Sequence, residues 1–103
     1  MYRILICDDD KDIVRALRIY LLADNKTYQI VEAYNGKEAL GVLRDQPVDL
    51  VLMDVMMPEL DGIETLYEIR KTSDVPVILL TARSEAEDKV SELSGGGFAR
   101  VEH

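Results

Sequence analysis

Tyr2-Arg3-Ile4-Leu5-Ile6-Cys7-Asp8-Asp9-Asp10, residues 2–10, is an apolar run that stops abruptly on three carboxylates. A second run, Val48-Asp49-Leu50-Val51-Leu52-Met53, ends the same way on Asp54. Both read as short strands bounded by polar residues, each with acid at its C-terminal end. In an open α/β sheet, ligands bind in the crevice beyond the carboxyl ends of adjacent strands. Two acidic strand ends meeting there make a site for a hard cation and, through it, for phosphate.

Outward from these two runs the chain alternates strand and helix. Strands are expected near residues 2–7, 28–33, 49–53 and 76–81. Ile13, Val14, Leu17 and Leu21 recur at helical spacing and give the first helix one apolar face. Three further helix starts carry the spacing of a capping box: Asn35 with Glu38, Asp61 with Glu64, and Ser84 with Glu87. Apolar residues follow each at helical spacing: Ala39, Leu40 and Leu43; Ile63, Leu66 and Ile69; Ala86, Val90 and Leu93. Strict βαβα alternation implies a parallel sheet with right-handed crossovers and helices on both faces. Residues 50–53 and 75–80 are continuously apolar, as strands buried on both faces are, whereas Tyr28-Gln29-Ile30-Val31-Glu32-Ala33 is mixed and suits an edge. The order 2-1-3-4 satisfies this pattern and sets Asp8 and Asp9 beside Asp54.

At 103 residues the chain is one domain with a single core, and its net charge of −8 offers no basic stripe for DNA or RNA. Its one cysteine excludes an intrachain disulfide, and Cys7, inside an apolar strand, reads as a packed thiol. No apolar stretch approaches the ~20 residues of a membrane span, so a reducing cytoplasm is the expected location. Asp10 reads as the N-cap of the first helix, Pro58 and Gly62 as loop and helix-start punctuation, and Met53, Met56 and Met57 as packing and loop residues. Thr81 by itself reads equally as a strand-end hydroxyl. Asp8, Asp9 and Asp54 resist a structural explanation, because clustered carboxylates repel and raise one another's pKa unless a cation is present.

Four segments in register carry a family resemblance: Ile4-Leu5-Ile6-Cys7-Asp8-Asp9-Asp10, Leu52-Met53-Asp54-Val55-Met56-Met57-Pro58, Leu60-Asp61-Gly62 and Leu79-Leu80-Thr81-Ala82-Arg83. Together they resemble response-regulator receiver domains, and Thr81-Ala82-Arg83-Ser84 with the acidic helix after it is most similar to the OmpR/PhoB branch. The resemblance implies a flavodoxin-like (CheY-like) doubly wound α/β fold and a two-component phosphorelay function with transcriptional output. It implies Asp54 as acceptor of a phosphoryl group from a sensor histidine kinase. It also implies Mg²⁺ held by Asp9 and Asp54, with Asp8 through a water and the Met56 main-chain carbonyl as a further ligand. Thr81 is implied as the switch hydroxyl that contacts the phosphoryl group.

The resemblance covers residues 1–93. Receiver domains continue with a fifth strand carrying a characteristic lysine and then a fifth helix; here residues 94–103 form a glycine-rich tail and no lysine follows Lys89. Arg100 is the one cation there to stand in for it. An absent fifth helix is expected to bare apolar residues of strands 1 and 3, and an absent fifth strand to bare the edge of strand 4. Either residues 98–101 form a replacement strand beyond the Gly95–Gly97 hinge, or two chains cover one another as a homodimer or strand-exchanged oligomer; the second is favoured, because four tail residues cannot replace a helix and the glycine run makes exchange easy. Two other functions stay open: a receiver-fold interaction module without phosphotransfer, and a haloacid-dehalogenase-type phosphatase using Asp8 and Asp10. In neither the receiver nor the interaction reading is the chain an enzyme with turnover.

Overall fold

Ile4, Leu5, Ile6 and Cys7 are buried on both sides in the computed structural model, which describes residues 1–80 and 99–102. They belong to β1 (Arg3–Cys7), which is followed by α1 (Lys11–Asp24), β2 (Gln29–Ala33), α2 (Gly36–Asp45), β3 (Leu50–Asp54), α3 (Gly62–Arg70), β4 (Val77–Leu80) and β5 (Ala99–Glu102). The sheet order is β2-β1-β3-β4-β5, with the first four strands parallel. This is the expected 2-1-3-4 doubly wound arrangement. Edge strand β2 is half-exposed along most of its length, in keeping with its mixed sequence.

A fifth strand adds to this arrangement. Ala99–Glu102 runs antiparallel to β4, with Leu80 opposite Ala99 and Val77 opposite Glu102. The edge of β4 is therefore paired within the chain by the tail, as a replacement strand rather than by a second copy. Pairing its free N–H and C=O groups by the same chain removes a template for association. The fourth helix, with Ser84 and Glu87 at its start and Ala86, Val90 and Leu93 along it, lies outside the described residues, as do Thr81, Lys89, the Gly95–Gly97 hinge, Phe98 and the Arg100 side chain.

The alternation of side chains along each strand divides the core between two faces. Leu5, Cys7, Val51, Met53, Val77 and Leu79 point toward α2 and α3, where they meet Ala39, Leu66 and Ile69. Ile4, Ile6 and Leu52 point toward α1 and meet Val14, with Leu17 and Leu21 packed at the margin. Burial of each such Leu or Ile contributes roughly 1.5–3 kcal/mol. Ile13 is 39% exposed, so the buried stripe of α1 runs through positions 14, 17 and 21 and leaves Ile13 off it. Among the described strand residues, Ile30, Leu50, Ile78 and Leu80 stay half-buried on the α1 face. Among the described residues the thinner cover thus lies over β2, β4 and the start of β3, and not over β1, whose residues α1 seals.

The helix starts show which capping signals were complete. Asp10 accepts from the backbone N–H of Asp12 at 2.9 Å and of Ile13 at 3.4 Å, the N-cap role expected of it. Asp61 and Glu64 form a full capping box, Asp61 accepting from Glu64 N at 2.8 Å and Glu64 from Asp61 N at 3.3 Å. At α2 only half the box forms. Asn35 accepts from Glu38 N at 2.8 Å, but Glu38 reaches one residue further back and accepts from Tyr34 N at 2.9 Å.

Candidate metal centre

Register alone brings the acidic residues together. Cys7 is the partner of Met53 in the β1–β3 ladder, so the next residue of each strand, Asp8 and Asp54, leaves the sheet side by side. One carboxylate oxygen from each of Asp8, Asp9 and Asp54 lies within 4.8 Å of the other two. All three are hard oxygen donors on strand ends, and no softer ligand is in this group. Such a set suits Mg²⁺, which takes one or two protein carboxylates and keeps several waters.

Burial is graded across the cluster. Asp8 is 3% exposed, Asp54 is half-buried and Asp9 faces solvent. Burial is the main reason the Asp8 carboxyl is pushed up to about 6, with the charges of Asp54 and Asp9 adding to it. The backbone N–H of Asp10, donated to Asp8 Oδ1 at 2.9 Å, opposes the rise. The charges of Asp54 and Asp9 therefore make Asp8 harder to ionise in the protein alone, and a divalent cation offsets that repulsion.

The loop from Val55 to Asp61 holds Asp54 in place. Met56 donates its N–H to Asp54 Oδ1 at 3.3 Å, which sets the Met56 main chain beside the carboxylate. Gly62, the first residue of α3, donates to the Val55 carbonyl at 3.0 Å. A Cβ on Gly62 would stand 2.9 Å from Val55 Cα and 3.0 Å from the Asp54 carbonyl carbon, and closer still to the Asp54 carbonyl oxygen. Gly62 is thus the residue that allows α3 to abut the backbone of Asp54, and its reading as punctuation undervalued it. A glycine in the first turn, directly after a cap, was the available signal, since other residues extend a helix better. In the same loop Glu59 has φ 65°, a conformation that costs a side-chain-bearing residue about 1 kcal/mol. Glu59→Gly is expected to raise stability by about 0.5 kcal/mol once the entropy of glycine is set against the relieved strain, seen as a higher urea midpoint at unchanged slope.

Beneath the carboxylates lies sulfur. Cys7 donates its thiol to the Asn35 carbonyl at 3.3 Å and packs 3.7 Å from Met57 Sδ. Burial first, and the Asp8 and Asp54 charges next, push the thiol up to about 12. Cys7 is therefore a packed floor residue, as its place in an apolar strand indicated. Asp10, committed to the α1 cap, is not a second aspartate aimed into the crevice, which removes the arrangement the phosphatase reading needed.

The profile of the family described as "Response regulator receiver domain" matches residues 4–101. The chain is 46% identical over 96 residues to an uncharacterized transcriptional regulatory protein, YrkP of Bacillus subtilis, covering 93% of this chain and 40% of that protein. The chain spans only about two fifths of the length of the curated relatives it matches. Among solved structures it resembles the response regulator TrrA of Thermotoga maritima, determined in complex with Mg²⁺ and BeF, at 39% identity and a TM-score of 0.76, covering 90% of this chain and 80% of that one. It also resembles a chain in the complex of the histidine kinase ThkA with TrrA, at 42% identity and a TM-score of 0.72, covering 82% of this chain and 72% of that one. No helix among the described residues is long and apolar enough to cross a membrane.

Proposed function

The chain belongs to the response regulator receiver domain family, and from that premise we propose that it accepts a phosphoryl group on Asp54 from a sensor histidine kinase in a Mg²⁺-dependent reaction. The observation that carries this reading is the convergence of Asp8, Asp9 and Asp54 within 4.8 Å at the carboxyl ends of β1 and β3. Asp9 and Asp54 would hold the ion directly, Asp8 through a water, and the Met56 carbonyl would complete the protein's share. When bound, Mg²⁺ would neutralise the repulsion between carboxylate and phosphoryl oxygens.

The chain's own residues carry the rest. A carboxylate oxygen of Asp54 attacks phosphorus, an O–P bond forms, and the N–P bond of the phosphohistidine breaks with its electron pair returning to the imidazole nitrogen, which takes up a proton. The Met56 N–H orients the other part of that carboxylate through Oδ1. The Gly62 contact fixes the strand end against which the attack occurs. Thr81, one residue beyond Leu80 in β4, would contact the transferred group as the switch hydroxyl. The domain is a stoichiometric acceptor rather than an enzyme with turnover, acts in the cytoplasm, does not itself touch nucleic acid, and passes its state to a transcriptional output. The half-buried Leu50, Ile78 and Leu80 beside α1 favour a homodimer across that face.

Intact mass after treatment with acetyl phosphate and Mg²⁺ tests the reading. A gain of about 80 Da in the parent and none in Asp54→Ala is expected. The strand paired with β4, Ala99-Arg100-Val101-Glu102, carries no lysine, which favours a second reading, a receiver-fold interaction module. Mg²⁺ binding with no mass gain would select it over phosphotransfer.

A further inference from the structure

One face of α1 runs against the chain's overall charge. Lys11, Arg15 and Arg18 fall at i, i+4 and i+7, so they share one side of the helix over about 10 Å of its axis. With Val14, Glu32 and Tyr34 they line a cavity of about 250 Å³ between α1 and edge strand β2. Its floor is a fixed polar frame. Tyr34 donates its hydroxyl to Glu32 Oε1 at 2.8 Å, Arg18 meets Glu32 Oε2 at 3.2 Å, and the Lys11 ammonium lies 5.4 Å above the Tyr34 ring. Those two contacts, Tyr34 before Arg18, hold the Glu32 carboxyl below its ordinary value, so it stays charged and occupied.

The balance of charge leaves cation in excess. Arg18 is matched by Glu32, while the ion pair that Arg15 makes among the described residues is with Asp12 at 3.8 Å, an exposed pair that contributes little. Among the described residues no carboxylate pairs with Lys11, whose contact is the Tyr34 ring. The chain as a whole carries −8, which makes this local excess a place where an acidic partner is attracted while the remaining surface repels it. The cations are strung along a helix and not ringed about one point, which suits successive carboxylates of an extended segment better than one small anion. Arg15 and Arg18 offer planar forks that grip carboxylates in pairs.

We propose that the Lys11–Arg15–Arg18 face of α1, with the Tyr34–Glu32 frame beneath it, is a docking site for an acidic segment of a partner protein. This site is separate from the carboxylate cluster and does not depend on phosphotransfer, because acetyl phosphate labelling of Asp54 is read independently on the same samples.

The test titrates hexaglutamate peptide, and separately inorganic phosphate, into the ¹⁵N-labelled protein. Hexaglutamate is expected to shift the amides of Lys11, Val14, Arg15, Arg18, Glu32 and Tyr34, with affinity falling about tenfold as salt is raised from roughly 20 to 200 mM. Lys11→Ser with Arg15→Ser is expected to abolish the shifts, and Lys11→Arg with Arg15→Lys to retain them, both with an unchanged unfolding midpoint. Absence of shifts at these amides, survival of the shifts in the serine variant, or equal shifts from phosphate at the same concentration would each overturn the proposal.

Discussion

Gly62→Ala lowers the unfolding midpoint by about 8–16 °C, on the expectation that a methyl group there has no room. Two of its three nearest neighbours would be the Asp54 carbonyl atoms and the third Val55 Cα, all of them backbone. A flexible side chain can step aside from such a contact; a strand end cannot. Helix propensity acts the other way, since alanine is favoured over glycine by up to about 1 kcal/mol, a figure that already contains the lower entropy of the unfolded alanine chain. Overpacking against immovable backbone falls at the upper end of the usual range, about 3 kcal/mol, so the steric term prevails by about 2 kcal/mol. In a domain of this size each kcal/mol is worth about 4–8 °C. Calorimetry with and without Mg²⁺ reads both consequences, because retreat of α3 also shifts the backbone that bears Asp54 and weakens metal binding. An unchanged or raised midpoint would mean that α3 slides away at no cost, and that its contact with Asp54 is incidental.

Asp8→Asn is expected to do the reverse in the metal-free protein. The folded state holds the Asp8 carboxyl at about 6 where the ordinary value is 3.8, so the fold binds this proton more tightly than the unfolded chain does. The stabilisation is present in full below about pH 3.8 and is lost as pH rises through 6. Metal-free protein is therefore more stable at pH 5 than at pH 7.5 by roughly 1.4 kcal/mol from this group. Glu32, whose carboxyl is lowered by Tyr34 and then Arg18, acts in the opposite sense but below its ordinary value of 4.5, outside that window. Asparagine keeps the acceptor for the Asp10 N–H and removes the charge, so at pH 7.5 it raises stability on the order of 2 kcal/mol and flattens the pH slope. The same change removes the stabilisation by Mg²⁺, since mass action rewards only the protein that binds it. Urea titrations at the two pH values, in chelator and in Mg²⁺, give all four numbers. Parent protein that loses stability on going from pH 7.5 to 5 would contradict the account.

What could be read in the amino-acid sequence was whatever repeats or ends sharply. The strands over residues 2–7 and 49–53 were visible because apolar runs stop on carboxylates, and their adjacency followed from the buried character of β3 and the mixed character of β2. Asp8, Asp9 and Asp54 were legible for the same reason, and the ladder that pairs Cys7 with Met53 explains why they meet. Asp10 was legible as a cap because its chemistry is local. Ile13 was misplaced because helical spacing names two neighbouring rows and only packing chooses between them; the sheet chose the row through Val14. Gly62 and Glu59 were opaque because their roles lie in a backbone approach and a dihedral angle, which side-chain identity does not encode. The antiparallel β5 was read as the lesser alternative, because four tail residues cannot replace a helix; they suffice, though, to pair an edge.

Cys7 has a practical corollary for kinetics and labelling. A thiol with its pKa at about 12 is only ~10⁻⁵ thiolate at neutral pH, against a few per cent for a free cysteine. Since the thiolate is the reacting species, alkylation of Cys7 is slowed some thousandfold even before steric access to the sulfur is considered. The native protein is in this sense already cysteine-silent. A probe cysteine placed at the exposed Tyr20 of α1 or Tyr67 of α3 can be labelled selectively with the wild-type floor of the acidic crevice left intact, so distances and exchange can be followed without repacking the centre of the sheet.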